Sequence, residues 1–217
     1  DQTYGTWTYT YDDAGNLTQT VDPNSQTVNY TYNDINQILT ENYTGDAGTE
    51  VSYTYGGCTG GIGKLCSVTT LQGVDTDYTY NSNGGVASEE KTIDINDYAT
   101  SYTYDRQGNQ LIITYPDDSE VKYTYNTAGQ VETIQRKESA DPSYTNVITD
   151  VDYGPHGAIT YIAYQNGSAT TNTYDATELY RLSNKTTTKS ATDLQNLTYT
   201  YDNNGNITEI VDASDTD

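Results

Sequence analysis

Phenylalanine and methionine are absent from this 217-residue chain, histidine and tryptophan occur once each, and there are two cysteines and four prolines. Without Phe and Met the usual large fillers of a compact core are missing. Only 33% of residues are hydrophobic, against about 45–50% apolar, glycine included, in an average domain. A generic enzyme core is a poor fit. Basic residues are scarce as well: nine Lys and Arg stand against 31 Asp and Glu, a formal net charge of -22. Such a chain repels nucleic acid and anionic membranes, so neither is an expected partner. No apolar run approaches the roughly 18 residues of a membrane-spanning helix, and no basic-then-apolar leader opens the chain. The single histidine, His156, lies in the turn sequence Gly154-Pro155-His156-Gly157, and no Gly-x-Ser-x-Gly nucleophile elbow occurs. The inventory for catalysis is thin, so the expectation is a non-enzyme with no catalytic residues, no cofactor and no bound metal.

What the chain has instead is 24 tyrosines, placed in regular alternation with threonine, which argues against a solvated coil. The unit Tyr-x-Tyr followed by Asp, Asn or Gly begins at Tyr9, Tyr30, Tyr53, Tyr78, Tyr102, Tyr123 and Tyr199, with degenerate copies at Val151-Asp152-Tyr153-Gly154 and Asn172-Thr173-Tyr174-Asp175. The second tyrosines are Tyr11, Tyr32, Tyr55, Tyr80, Tyr104, Tyr125, Tyr153, Tyr174 and Tyr201, in steps of 21, 23, 25, 24, 21, 28, 21 and 27 residues. Self-similarity at this period marks a repeat protein. With no linker between copies, residues 1–217 read as one continuous array of nine repeats, taken from a larger protein.

Each repeat explains itself as two strands and a tight turn. The tyrosine face continues backwards through Trp7, Val28, Val51, Val121 and Leu197, while Thr8, Asn29, Ser52, Lys122 and Thr198 alternate with it. Period-two alternation predicts half-buried strands with tyrosines inward, and rings of neighbouring repeats are expected to meet as cross-strand pairs. Asp12 opens a turn that Gly15 closes, as do Asn33 and Asn36, Asp105 and Gly108, Asn126 and Gly129, and Asp202 and Gly205. These pairs put an Asx residue where a type I turn begins and Gly or Asn where φ must be positive. An aliphatic returns two residues later (Leu17, Ile38, Leu65, Val86, Val131, Ile159, Leu182, Ile207); Leu111 comes one residue late, which predicts a bulge there. The fold class expected is all-β: an array of antiparallel hairpins forming a long, curved or spiralling sheet.

The pattern Tyr-x-Tyr-Asp-x-x-Gly-x-Leu, repeated across the whole chain, resembles the YD-repeat, or Rhs-repeat, family of bacterial Rhs and wall-associated proteins, insecticidal toxin-complex subunits and animal teneurins. The resemblance implies a β-strip that spirals into a hollow shell, in several members enclosing a toxic C-terminal domain. This chain departs from the family in two ways. Arg often follows the turn Gly in the family, whereas Asn16, Lys64, Gly85, Asn109, Gln130, Ala158 and Asn206 stand there here. Asp22-Pro23-Asn24 and Asp141-Pro142-Ser143 also lack the Gly of a shell-closing Asp-Pro-x-Gly motif. Nine repeats are expected to make a stretch of wall and not a closed shell.

Cys58 and Cys66 flank an expanded turn in the third repeat. The natural reading is a disulfide across the hairpin loop, pointing to an extracellular or cell-surface location; two free thiols or half a metal site are the alternatives. Acidic pairs such as Asp12-Asp13, Asp75 with Asp77, Asp117-Asp118 and Asp150 with Asp152 have the oxygen chemistry of weak calcium sites. They fall mostly in turns or on the threonine face, and Asp202-Asn203-Asn204-Gly205 lacks a distal Glu. Seven Asn-x-Ser/Thr sequons arise readily in so Asn- and Thr-rich a chain. The expected role is mechanical: shell wall around a cargo, with further repeats or neighbouring copies as partners. The alternative is a filament or adhesin that associates through strand edges or meets carbohydrate through tyrosine rows.

Overall fold

The computed structural model describes residues 5–45 and 48–214, and these contain strands and turns but no helix. Two compact units are distinguished, Asp1–Thr103 with Thr114–Pro116, and Tyr104–Ile113 with Asp117–Asp217. In the first unit the strands are β1 (Thr8–Tyr11), β2 (Leu17–Val21), β3 (Thr27–Tyr32), β4 (Ile38–Tyr43), β5 (Val51–Tyr55), β6 (Leu65–Thr70), β7 (Val74–Tyr80), β8 (Val86–Ile93) and β9 (Asn96–Tyr104). Each pairs antiparallel with the next. The second unit holds β10 (Gln110–Thr114), β11 (Glu120–Tyr125), β12 (Val131–Lys137), β13 (Thr145–Tyr153), β14 (Ile159–Tyr164), β15 (Ser168–Asp175), β16 (Arg181–Lys189), β17 (Thr192–Tyr201) and β18 (Ile207–Asp212). Its ladder runs in sequence order from β11 to β18. Hairpin connections of a few residues permit only this antiparallel meander, because a parallel partner would need a long crossover.

Alternation sets the faces. Thr31, Thr54, Thr103 and Thr200 are exposed, and the tyrosines on either side of each are half-buried. Tyr9 and Tyr11 depart from the inward expectation, at 52% and 59% exposed, in β1, which pairs with β2. Among the described residues, Cys66 and Val151 are the only buried apolar side chains, and no large side chain is fully buried. Cohesion therefore comes from ladder hydrogen bonds and from cross-strand pairs worth about 0.2–1 kcal/mol each, not from a closed core.

The repeat tyrosines do not oppose one another within a hairpin. Tyr11 faces Leu17, Tyr32 faces Ile38, Tyr53 faces Val68, Tyr123 faces Ile134 and Tyr199 faces Ile210. The second tyrosine of a repeat thus pairs with an aliphatic residue of the returning strand, whereas the first tyrosines Tyr9, Tyr30 and Tyr78 face Thr20, Glu41 and Glu89. Bulges occur at repeats where the spacing of the aliphatic residue predicted none. Thr10 faces Gln19 while Tyr11 faces Leu17, leaving Thr18 as an extra residue. The same shift sits beside Tyr32, Tyr55, Tyr80, Tyr125, Tyr153, Tyr174 and Tyr201. An extra residue on one strand bends it and increases its twist, so the curvature of each hairpin is built in at the second tyrosine.

Candidate functional site

The residues that recur from repeat to repeat meet at the turns, and the geometry there starts with one carboxylate or amide. Asp12 accepts the backbone N–H groups of Ala14 and Asn16 at 3.0 and 2.8 Å, and Gly15 closes the turn at φ +87°. Asn33, Asn81, Asp105, Asn126 and Asp202 each make the equivalent pair of bonds. Asn36 takes the left-handed position of Gly15 at φ +61°, and Gly108, Gly129 and Gly205 occupy it in their own turns. Asp22, in the connection between β2 and β3, repeats the motif with Ser25 as the left-handed residue. The amide of Asn16, Asn109 or Asn206 also donates to the second oxygen of its turn carboxylate. That bond, helped by the backbone donors, holds Asp12, Asp105 and Asp202 below the usual carboxylate range.

Consecutive hairpins are tied through the second tyrosine. Its hydroxyl donates to the backbone carbonyl at or beside the start of the previous hairpin's returning strand: Tyr32 to Leu17, Tyr80 to Leu65, Tyr125 to Gln110, Tyr153 to Val131, Tyr174 to Ile159 and Tyr201 to Leu182, at 2.6–3.0 Å. Burial raises the phenols of Tyr32 and Tyr125. Tyr55 and Tyr78 are half-buried on the same face. In the third repeat the first tyrosine makes the tie: Tyr53 donates to Glu41 at 2.7 Å, and burial with that carboxylate pushes its phenol up to about 12.

The residue after the turn makes a second tie that sequence reasoning missed. Asn16 donates to Asn36 at 2.8 Å, Gln37 to the Gly63 carbonyl at 3.0 Å, and Lys64 to the Gly84 carbonyl at 2.8 Å while lying 4.9 Å from the Tyr80 ring centre. Arg181 does the same in the eighth repeat, donating to the Asp202 carbonyl at 3.2 Å and lying over Tyr201 at 5.6 Å. An Arg therefore stands once in the slot after the turn. It was hidden because that turn is longer and has Leu179 and Tyr180, instead of Gly, at positive φ. An open hollow of about 280 Å³ beside it is lined by Asp175, Glu178, Arg181, Tyr199 and Tyr201, among others.

Cys58 and Cys66 form a disulfide. His156 is exposed in its turn, with Tyr180 stacked on one side and Tyr174 edge-on, both at 4.6 Å between ring centres. Glu120 binds Lys137 and the hydroxyl of Tyr144, and both Lys122 and Lys137 lie over the Tyr144 ring. Lys137, then Tyr144, hold the Glu120 carboxyl down, and the same carboxylate pushes the Tyr144 phenol up to about 12. No signal of spacing marks that cluster, because its members come from two strands and a loop. Among the described residues no group of three or more His, Cys, Asp and Glu is placed to hold a metal ion, and the turn carboxylates are occupied by their own backbone. Phenol hydroxyls committed to carbonyls also leave fewer polar handles for a carbohydrate ligand.

Comparison with known proteins follows the same lines. The RHS Repeat family model matches residues 5–27 and 11–49. No curated protein matches the sequence. Among solved structures, TcdB2-TccC3 superposes with a TM-score of 0.87 at 19% identity, over 96% of this chain and 12% of that one. TcdB2-TccC3 without its hypervariable C-terminal region gives 0.86 at 19% identity, over 96% and 11%. The Photorhabdus luminescens Tc holotoxin pore with a mutant TccC3 gives 0.84 at 19% identity, over 96% and 11%. At this identity the likeness is one of fold, and the chain spans about a ninth to an eighth of the length of those chains.

Proposed function

From the match of the RHS Repeat family model to residues 5–49 and the fold shared with the TcdB2-TccC3 chains, we propose that this chain is an RHS-repeat protein and a length of wall in a larger Rhs-type shell. In this reading it is a non-enzymatic segment that helps to enclose and deliver a cargo. The observation that carries the reading is the superposition over 96% of the chain onto part of a much longer one. The ladder chemistry supports it. Six hairpins are tied to their predecessor through the hydroxyl of the second tyrosine, one through Tyr53, and four through the residue after the preceding turn, so length is added by repetition without a central core. Partners are further repeats or neighbouring subunits that continue the same ties. The disulfide fits assembly in an oxidising, extracellular compartment.

Electron microscopy of the full-length secreted protein tests the proposal. Hollow, closed particles with density inside are the expected result. Uniform filaments, or solid rods with no lumen, would overturn it in favour of a polymer subunit.

A further inference from the structure

The expanded turn of the third hairpin does something the other turns do not. Its backbone reaches across to the next hairpin, where the Thr59 carbonyl accepts the N–H of Tyr80 at 2.8 Å. Gly60 lies so close that a side chain there would meet the Tyr80 carbonyl, its Cβ falling 2.3 Å from that oxygen, with φ at +67°. Lys64 covers the Tyr80 ring and bonds the Gly84 carbonyl, and the Tyr80 hydroxyl bonds the Leu65 carbonyl. The loop that makes these contacts is closed at its base by Cys58 and Cys66, and Gly61 is pressed against both sulfurs. A turn this long would otherwise lose backbone entropy on docking. The covalent closure removes much of that cost, because the closed loop has fewer conformations to give up.

We propose that the Cys58–Cys66 bridge is a reducible clasp: oxidised, it holds the third turn down on Tyr80, and reduced, it frees that turn while both hairpins stay folded. The chemistry is exchange with a dithiol. Cys58 is the half-buried member and Cys66 is 6% exposed, so the reductant's thiolate attacks the Cys58 sulfur. The S–S bond breaks, Cys66 leaves as a thiolate, and the Cys58 N–H, which lies 3.3 Å from that sulfur, donates to it as charge develops. The second thiol of the reductant then resolves the mixed disulfide. Two electrons pass from the dithiol to the bridge, and two protein thiols and one cyclic disulfide result. The purpose of the clasp rests on the shell-wall reading: a wall assembled outside the cell would acquire one loosened joint on entering a reducing compartment.

Hydrogen exchange on the 217-residue chain, oxidised and after full reduction by dithiothreitol with both thiols verified by alkylation, tests the clasp. The amides of Tyr80 and Lys64 are expected to exchange at least tenfold faster after reduction, while the β7–β8 ladder amides from Thr76 to Thr79 and from Ser88 to Lys91 keep their rates. Gly60→Ala, with the bridge intact, should raise Tyr80 exchange in the oxidised protein by pushing the loop away. Unchanged Tyr80 exchange in fully reduced protein would overturn the proposal, and so would loss of protection throughout β5 to β8, which would make the bridge a general staple. Microscopy that found no shell would remove the purpose assigned to the clasp and leave these exchange results standing.

Discussion

Tyrosine carries this structure because it combines an apolar ring with a polar tip. In a sheet with almost no buried apolar side chains, the ring covers an aliphatic neighbour while the hydroxyl reaches a carbonyl one hairpin away. Phenylalanine could do only the first. The same bonding shapes the alkaline behaviour of the protein. Burial and Glu41 push Tyr53 up to about 12, and Glu120 together with burial does the same for Tyr144, from an ordinary value of 10.0. Folding favours their neutral form, so the stability linked to them is fully present below about pH 10 and is lost as pH rises through about 12. A spectrophotometric titration of phenolate should therefore show these two among the last tyrosines to ionise, with unfolding accompanying them. Release of all 24 tyrosines in one step near the ordinary value would contradict this.

At the scale of the element, a hairpin is a strand, an Asx-opened turn, a left-handed residue and a bulged return. The turn is self-contained: Asp105 binds the N–H groups of Gln107 and Asn109, and Gly108 supplies the positive φ. The ties between hairpins are what convert such units into a ladder. Tyr125→Phe keeps the ring and removes the 2.6 Å bond to the Gln110 carbonyl. It should lower stability by about 1 kcal/mol, the net worth of one hydrogen bond. Urea unfolding would register this as a lower midpoint with an unchanged slope. The disulfide acts at this scale too; the chain-entropy model gives roughly 2–3 kcal/mol for so short a loop.

For the whole molecule, charge is the dominant sequence-wide property. A formal charge of -22 on a chain with so little buried apolar surface opposes compaction by self-repulsion. Screening reaches about 8 Å at physiological ionic strength, so much of that repulsion is relieved by salt. The melting temperature should rise between low and physiological sodium chloride concentrations. A fall, or no change, would mean that local ion pairs outweigh the global charge. Only three ion pairs, Arg136 with Glu138, Lys137 with Glu120 and Arg181 with Glu178, are formed among the described residues.

The strand and turn pattern and the antiparallel all-β class were legible in the sequence because they follow from short-range chemistry. Two-residue alternation decides which side chains share a face, and Asx with Gly or Asn at a fixed offset decides where the chain reverses. The Tyr-Asp-Gly spacing carried the resemblance that the RHS Repeat family model matches over residues 5–49. Three features depend on neighbours fifteen or more residues away or on register, and only the tertiary structure decided them. The tyrosine hydroxyl bonds needed the strand order. The general bulge needed the pairing, since Thr18 and its counterparts look like ordinary strand residues. Arg181 in the post-turn slot needed the backbone, because a longer turn with Leu179 and Tyr180 in left-handed conformation conceals its alignment. A repeat dictates its own local geometry; what one repeat does to the next is set by the sheet that holds them side by side.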